Sequence, residues 1–113
     1  MGERDLRAAL SDFATRCNGN ERLRQMNRDW TRTIAVRPSE DAPVFLRYQE
    51  GQVSVTEPAD PDLVVEGPHE VLCAIFTGET TPTEPYMDGT LLVRGSQDDM
   101  MRLDIISLLI WGE

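Results

Sequence analysis

The chain has 113 residues, room for one domain with one core. It is 40% hydrophobic and 6% aromatic, too apolar for wholesale disorder. Its formal net charge of −9 disfavours nucleic acid and anionic membrane as partners, because each needs a clustered positive surface.

All eleven basic residues are arginine, which reads as a compositional bias with a bacterial look. Cys17 and Cys73 each fall in a run that reads as helix, so two buried thiols are expected rather than a disulfide. With no C-x-x-C pair and a single histidine, no metal or other cofactor is expected. Met1-Gly2-Glu3-Arg4-Asp5-Leu6 lacks the apolar stretch of a secretory signal. The longest apolar run, Ile105 to Trp111, is interrupted by Ser107 and is too short to span a bilayer. The expectation is a cytoplasmic protein with no transmembrane segment.

In chain order, Leu6, Leu10, Phe13 and Cys17 recur at spacings of three and four, which predicts an amphipathic helix from about Asp5 to Cys17. Asn18-Gly19 offers left-handed residues to stop it. Asn20 can cap a second, short helix carrying Leu23 and Met26. Trp30 opens an extended segment in which the period changes to two. Ile34 and Val36 share one side of a strand ended by Arg37-Pro38. Val44, Leu46 and Tyr48 then alternate with Phe45, Arg47 and Gln49. Glu50-Gly51 is a turn, and Val53 and Val55 alternate after it. This predicts an antiparallel meander with one buried face. Pro58 to Pro61 breaks the pattern, and Leu63-Val64-Val65 forms a fourth strand stopped by Gly67.

Pro68 suits the first turn of a third helix, with Val71, Leu72, Ile75 and Phe76 as its apolar positions and Gly78 as its end. A loop from Glu79 to Pro85 follows. Leu91 to Val93 make a fifth strand. Ser96 and Asp99 resemble a capping box with Asp in place of Glu, opening a helix from Gln97 to about Trp111. Its last residues are apolar around the whole circumference, which calls for burial on more than one side: either ordinary packing with Trp111 exposed, or a face turned to a ligand cavity, a second subunit or a larger assembly. The predicted fold class is α+β: one five-stranded, largely antiparallel sheet with helices on one face, all within a single domain spanning residues 1–113.

The stretch from Gly78 to Gly95 is the most distinctive. It runs from a helix-ending Gly78 through a spacer to Tyr86-Met87-Asp88-Gly89, then to Leu91-Leu92-Val93-Arg94-Gly95 and a helix. Upstream stand Glu50-Gly51-Gln52-Val53-Ser54-Val55, which reads as a hairpin, and Asp62-Leu63-Val64-Val65-Glu66-Gly67, a strand that begins with an Asp. A lone G-x-L-x-V-x-G carries little. The same motif after an Asp-led strand, a helix and an aromatic-Met pair carries much more. In this order the residues from about Thr33 to Leu109 resemble the sterol carrier protein type-2 family. Pro85 departs from the pattern, standing where the family usually has Ala, which is expected to distort the family's short connecting helix; the wholly apolar C-terminal helix with Trp111 and the absence of lysine are not family features either.

The resemblance implies an apolar tunnel between sheet and helices that takes up a lipid, a fatty acyl chain, a quinone or a sterol-like molecule. By position it implies Phe45, Leu72, Ile75, Phe76, Tyr86, Met87, Met100, Leu103 and Ile106 as the lining, with Tyr86 and Met87 pointing inward. No nucleophile or metal is needed for such a site. Burial of apolar ligand surface supplies about 25 cal/mol per Å², and a few polar groups at the mouth orient the head.

The residues offer little competing chemistry. His69 beside a helix N-terminus reads as an exposed surface histidine rather than a base. Asp98, Asp99 and Asp104 read as capping and a solvated helix face rather than a cation site. Non-catalytic binding or transfer of an apolar molecule is therefore the expected function. Two alternatives stand beside it. One is a small enzyme or accessory factor acting on an apolar metabolite, with Tyr86, His69 and nearby acids as its groups. The other is an interaction domain, a homodimer through Leu108, Leu109 and Trp111 of the C-terminal helix.

Overall fold

A computed structural model describes residues 5–107 and 109–110. Helix α1 (Leu6–Asn18) starts where the Asp5 carboxylate accepts from the Arg7 N–H, and Asn20 caps α2 (Glu21–Met26) by accepting from the Leu23 N–H. The left-handed stop expected at Asn18-Gly19 is not used: Gly19 has φ −84°. Instead Asn18 donates to the Val53 carbonyl (2.9 Å) and accepts from the Val53 N–H (2.8 Å). Its amide thus acts as a strand partner on a sheet edge, satisfying backbone groups that would otherwise invite another chain.

Three strands follow as the predicted meander: β1 (Arg32–Pro38), β2 (Val44–Gln49) and β3 (Gln52–Thr56). The β2–β3 turn needs positive φ at both of its residues, 54° at Glu50 and 82° at Gly51. A Cβ on Gly51 would also lie 2.5 Å from the Arg24 carbonyl oxygen, so the turn sits directly on α2. Strand β4 (Leu63–Gly67) returns to lie parallel to β1, and β5 (Leu92–Arg94) pairs antiparallel with β4. The sheet order is β3-β2-β1-β4-β5. Asp62, just ahead of β4, closes the parallel pair: its N–H donates to the Thr33 carbonyl (2.7 Å) and its carboxylate accepts from the Thr33 N–H (2.9 Å).

Between β4 and β5 lie α3 (His69–Phe76) and α4 (Thr83–Met87). Gly78 ends α3 with φ +86°; its N–H donates to the Ile75 carbonyl and the Glu79 N–H to that of Ala74, a Schellman closure. The Arg16 guanidinium takes up the Phe76 carbonyl at 2.8 Å. Helix α4 occupies part of what the sequence presents as a proline-marked loop. Pro85 sits inside it at a position whose missing N–H costs nothing, since the first turn of a helix has no internal acceptors for its amides.

Helix α5 (Gln97–Ser107) ends the described fold, with Leu109 and Ile110 packed partly against the core. The helices cover the sheet face that carries Ile34, Val36, Leu46, Tyr48, Val53, Leu63 and Val65, and the buried core is continuous between these layers. Ser96 accepts from the Asp99 N–H, as a cap should. The Asp99 carboxylate does not complete the box. It is buried and accepts from Trp30 Nε1 (3.0 Å) and Arg32 Nε (2.9 Å), while Arg102 donates to the Met26 carbonyl (2.7 Å) and lies over the Trp30 ring.

Gly51→Ala meets both a left-handed φ and the Arg24 carbonyl, so urea denaturation should show a loss of at least about 2 kcal/mol. At Asp99 burial works to raise the pKa, but the Trp30, Arg32 and Ser96 hydrogen bonds and the Arg32 charge outweigh it and hold the carboxyl below its usual range. Its contribution is therefore complete above the ordinary Asp value, about 4, and is lost as pH falls through the lower folded value. Asp99→Asn should cost about 2 kcal/mol at pH 7 and should lose less stability than wild type between pH 5 and pH 2. An unchanged acid slope would show that Asp99 does not carry that linkage.

Candidate functional site

The gap between the sheet and α5 is a cavity of about 740 Å³. This is within the range of small-molecule sites, roughly 300–1,000 Å³. The sheet supplies one wall with Ile34, Leu46, Tyr48, Val65 and Val93. Phe13 of α1 and Ile75 and Phe76 of α3 close one side; the two phenyl rings meet edge to face at 5.0 Å. Helix α5 roofs the space with Gln97, Met100, Met101, Leu103, Asp104 and Ile106. Thr81, Pro82, Thr83 and Tyr86 form the remaining border with Leu91. The polar lining groups Thr81, Thr83, Tyr86, Gln97 and Asp104 are exposed, so they stand at the opening, while the interior is apolar.

Of the residues the sequence proposed, Ile75, Phe76, Tyr86, Met100, Leu103 and Ile106 border this cavity. Three do not. Phe45 faces the other way: β-strand side chains alternate, so when Leu46 and Tyr48 point toward the helices Phe45 cannot, and it lies opposite Ala35 and Thr56 in the ladder. Leu72 is fully buried at the β4–α3 corner, above Gly67. Met87 is 79% exposed and points to solvent, and Tyr86 is half exposed at the rim rather than inside. What the sequence reading missed was the sheet wall itself. Its signal was present in the two-residue period that groups Ile34, Leu46, Tyr48 and Val65 on one face.

Tyr48 in the cavity wall and Cys17 behind it are both held neutral. Tyr48 places its hydroxyl 3.9 Å from the Cys17 sulfur. Burial pushes the Cys17 thiol up to about 11, with the Tyr48 contact and the Arg16 charge offsetting only part. Burial, and then Cys17 itself, push Tyr48 well above its ordinary value. Neither provides a base or a nucleophile near neutral pH.

His69 is not the exposed surface residue expected. Its side chain is 15% exposed, with Nδ1 2.9 Å from Asp41 Oδ2 and Nε2 3.5 Å from the Cys73 sulfur. The order thiol, imidazole, carboxylate is that of a nucleophilic triad. However, Cys73 is fully buried and none of the three borders the cavity, so no substrate reaches the sulfur. The arrangement joins the 39–43 loop to α3, where Glu40 also accepts from the His69 N–H. Both cysteines are thiols rather than a disulfide.

Asp98 and Asp104 are exposed, Asp99 is the Trp30 and Arg32 acceptor, and among the described residues no three metal-ligating side chains converge. Among the described residues no helix is long and apolar enough to cross a membrane. The expected homodimer surface gains no support. Leu108 and Trp111 lie outside the described residues, and Leu109 packs partly against the chain's own core.

Comparison with solved structures places this architecture among sterol carrier domains. The "UbiJ-SCP2 Ubiquinone synthesis protein" superposes with a TM-score of 0.69 at 19% identity, covering 92% of this chain and 94% of that one. The palmitated SCP2L2 of Aedes aegypti gives 0.64 at 15% identity, covering 88% and 90%. The sterol carrier protein domain 2 of Helicoverpa armigera gives 0.64 at 16%, covering 95% and 86%. These likenesses are in fold. A search of curated protein sequences finds no match. The model of the SCP-2 sterol transfer family matches residues 7–106, nearly the whole chain, and the chain belongs to that family.

Proposed function

We propose that this protein binds an apolar molecule in the space beneath α5 and carries it without chemical change. The observation that carries the reading is the apolar interior of about 740 Å³ with its polar groups gathered at the opening. An acyl chain, a polyprenyl tail or a sterol-like ring system fits such a space, and its transfer from water is the driving force. Family membership supports the reading. So do two structural relatives, one described as palmitated and one as a ubiquinone synthesis protein.

In this reading Ile75, Phe76, Met100, Leu103 and Ile106 contact the buried chain, the sheet residues Leu46, Tyr48, Val65 and Val93 form its floor, and Tyr86 stands where the head emerges. Met100 and Met101 of the roof suit a site that accepts more than one shape, because their thioethers adapt at little cost. Of the groups the enzyme alternative would use, His69 is remote from the space.

The test is direct. The protein should enhance the fluorescence of the neutral apolar dye N-phenyl-1-naphthylamine with a saturable titration. Val93→Trp, which puts a large ring into the space from a half-buried position, should weaken that binding about tenfold or more with the fold intact by circular dichroism. Native mass spectrometry of the purified protein should find a bound apolar molecule or its uptake on mixing. A protein that shows no dye binding and no bound or acquired ligand would refute the reading.

A further inference from the structure

Resting on that reading, the charge distribution around the opening narrows the kind of molecule that fits. Among the described residues that border the cavity the one acidic side chain is Asp104, and none is basic. The arginines of the neighbouring elements are already committed. Arg16 holds the Phe76 carbonyl at 2.8 Å, Arg102 the Met26 carbonyl at 2.7 Å, Arg32 the Asp99 carboxylate at 2.9 Å, and Arg94 the Glu66 carboxylate at 2.6 Å. The start of α5 is not an open anion site either. Ser96 takes up the Asp99 N–H, and Asp98 and Asp99 occupy the first turn, where they offset the positive end of the helix. Glu84 and Asp88 are exposed on the same segment without lining the cavity, and the whole chain carries −9.

A carboxylate or phosphate head would enter this opening with no cation lining it among the described residues and with the Asp104 carboxylate at its edge. Taking an anion even partly out of water without a partner is costly. A neutral head meets a different set. Gln97, Thr81, Thr83 and the Tyr86 hydroxyl can donate or accept, and Asp104 can accept from a hydroxyl. Gln97 and Asp104 lie seven residues apart on one stripe of α5, about 10 Å along the axis, with Met100 and Met101 between them. Polar groups thus flank the apolar roof at both ends.

We infer that the ligand is an amphiphile with an uncharged hydrogen-bonding head, such as an alcohol, a phenol or a carbonyl, and that Asp104 is the residue that discriminates against fatty acids.

Three chain-matched probes test this: cis-parinaryl alcohol, cis-parinaric acid methyl ester and cis-parinaric acid, titrated by fluorescence at pH 7.5 below their aggregation thresholds. In wild type the alcohol should bind about fivefold or more tightly than the acid, the size expected of one like charge a few ångströms away in a wet site. Raising the salt should narrow that gap. Asp104→Asn changes an exposed side chain and leaves the fold in place; it should improve binding of the acid and leave the methyl ester unchanged. The inference is overturned if the acid binds as tightly as the alcohol in wild type, or if Asp104→Asn leaves the acid-to-alcohol ratio where it was. Failure of all three probes to bind would instead remove the binding reading on which the inference rests.

Discussion

The cavity depends on how α5 is held. An amphipathic helix laid on a sheet by its apolar face closes the space beneath it, because every buried methylene gained there is favourable. Here the helix is fixed at its two ends by different means. At the N-terminal end the Asp99 carboxylate takes Trp30 Nε1 and Arg32 Nε, and one turn on Arg102 reaches the Met26 carbonyl. Toward the other end Ile106 is fully buried in the core. Hydrogen bonds to ionised groups have a fixed length and direction, so the near end cannot slide down toward the sheet. Met100 and Leu103, between the anchors, therefore remain over open space. Trp30 transmits the constraint, since its ring lies 5.2 Å from that of Tyr48, which is itself part of the cavity wall.

A space of this size has an energetic consequence. Cavities left in packed cores cost on the order of 24 cal/mol per Å³. Applied to about 740 Å³, that gives on the order of 18 kcal/mol, more than the whole stability of an ordinary domain, roughly 5–15 kcal/mol. A dry, sealed void of this volume is therefore not a state such a chain can maintain. The exposed polar border resolves the difficulty, because the space is open to water on that side and part of its wall never leaves solvent. The same arithmetic makes occupancy favourable: an apolar molecule that fills the interior restores contacts the fold gave up, and stabilises the folded state with the logarithm of its concentration over its dissociation constant.

The sequence made the elements legible because their signals are local. The three-and-four spacing of α1, the Asn20 cap, the Glu50-Gly51 turn and the alternation in the meander each act within a few residues. Register-level facts were legible but easily misassigned. Phe45 and Leu46 are equally apolar, and only the position of Leu46 in phase with Ile34 and Val65 across the ladder tells which faces the helices. Asp99 was legible as a cap and illegible as an anchor, because its partners Trp30 and Arg32 lie 67 to 69 positions away. His69 failed for the same reason, since Asp41 pairs with it across a loop. Helix α4 was implied only by the family resemblance: by composition Thr83-Glu84-Pro85 reads as a break, yet a proline in a first turn is compatible with helix.

What remains is the relation between a silent interior and a polar border. Among the described residues Tyr48 is the one interior lining side chain with a hydroxyl, and it turns that group to the Cys17 sulfur, where burial keeps both neutral. The floor is thus apolar even where the residue type is not, and it offers no fixed point to orient a head group. Orientation must come from the border, where Thr81, Thr83, Tyr86, Gln97 and Asp104 are exposed. Two of these lie on α5, and the rest lie in or just before the short α4. In the proposed reading, discrimination among heads falls to this whole border, to Gln97 and Asp104 of α5 and to the segment containing Pro85, which carries no buried residue within α4. Changes there can alter which head is accepted while the sheet, the Asp99 anchor and the apolar floor stay as they are.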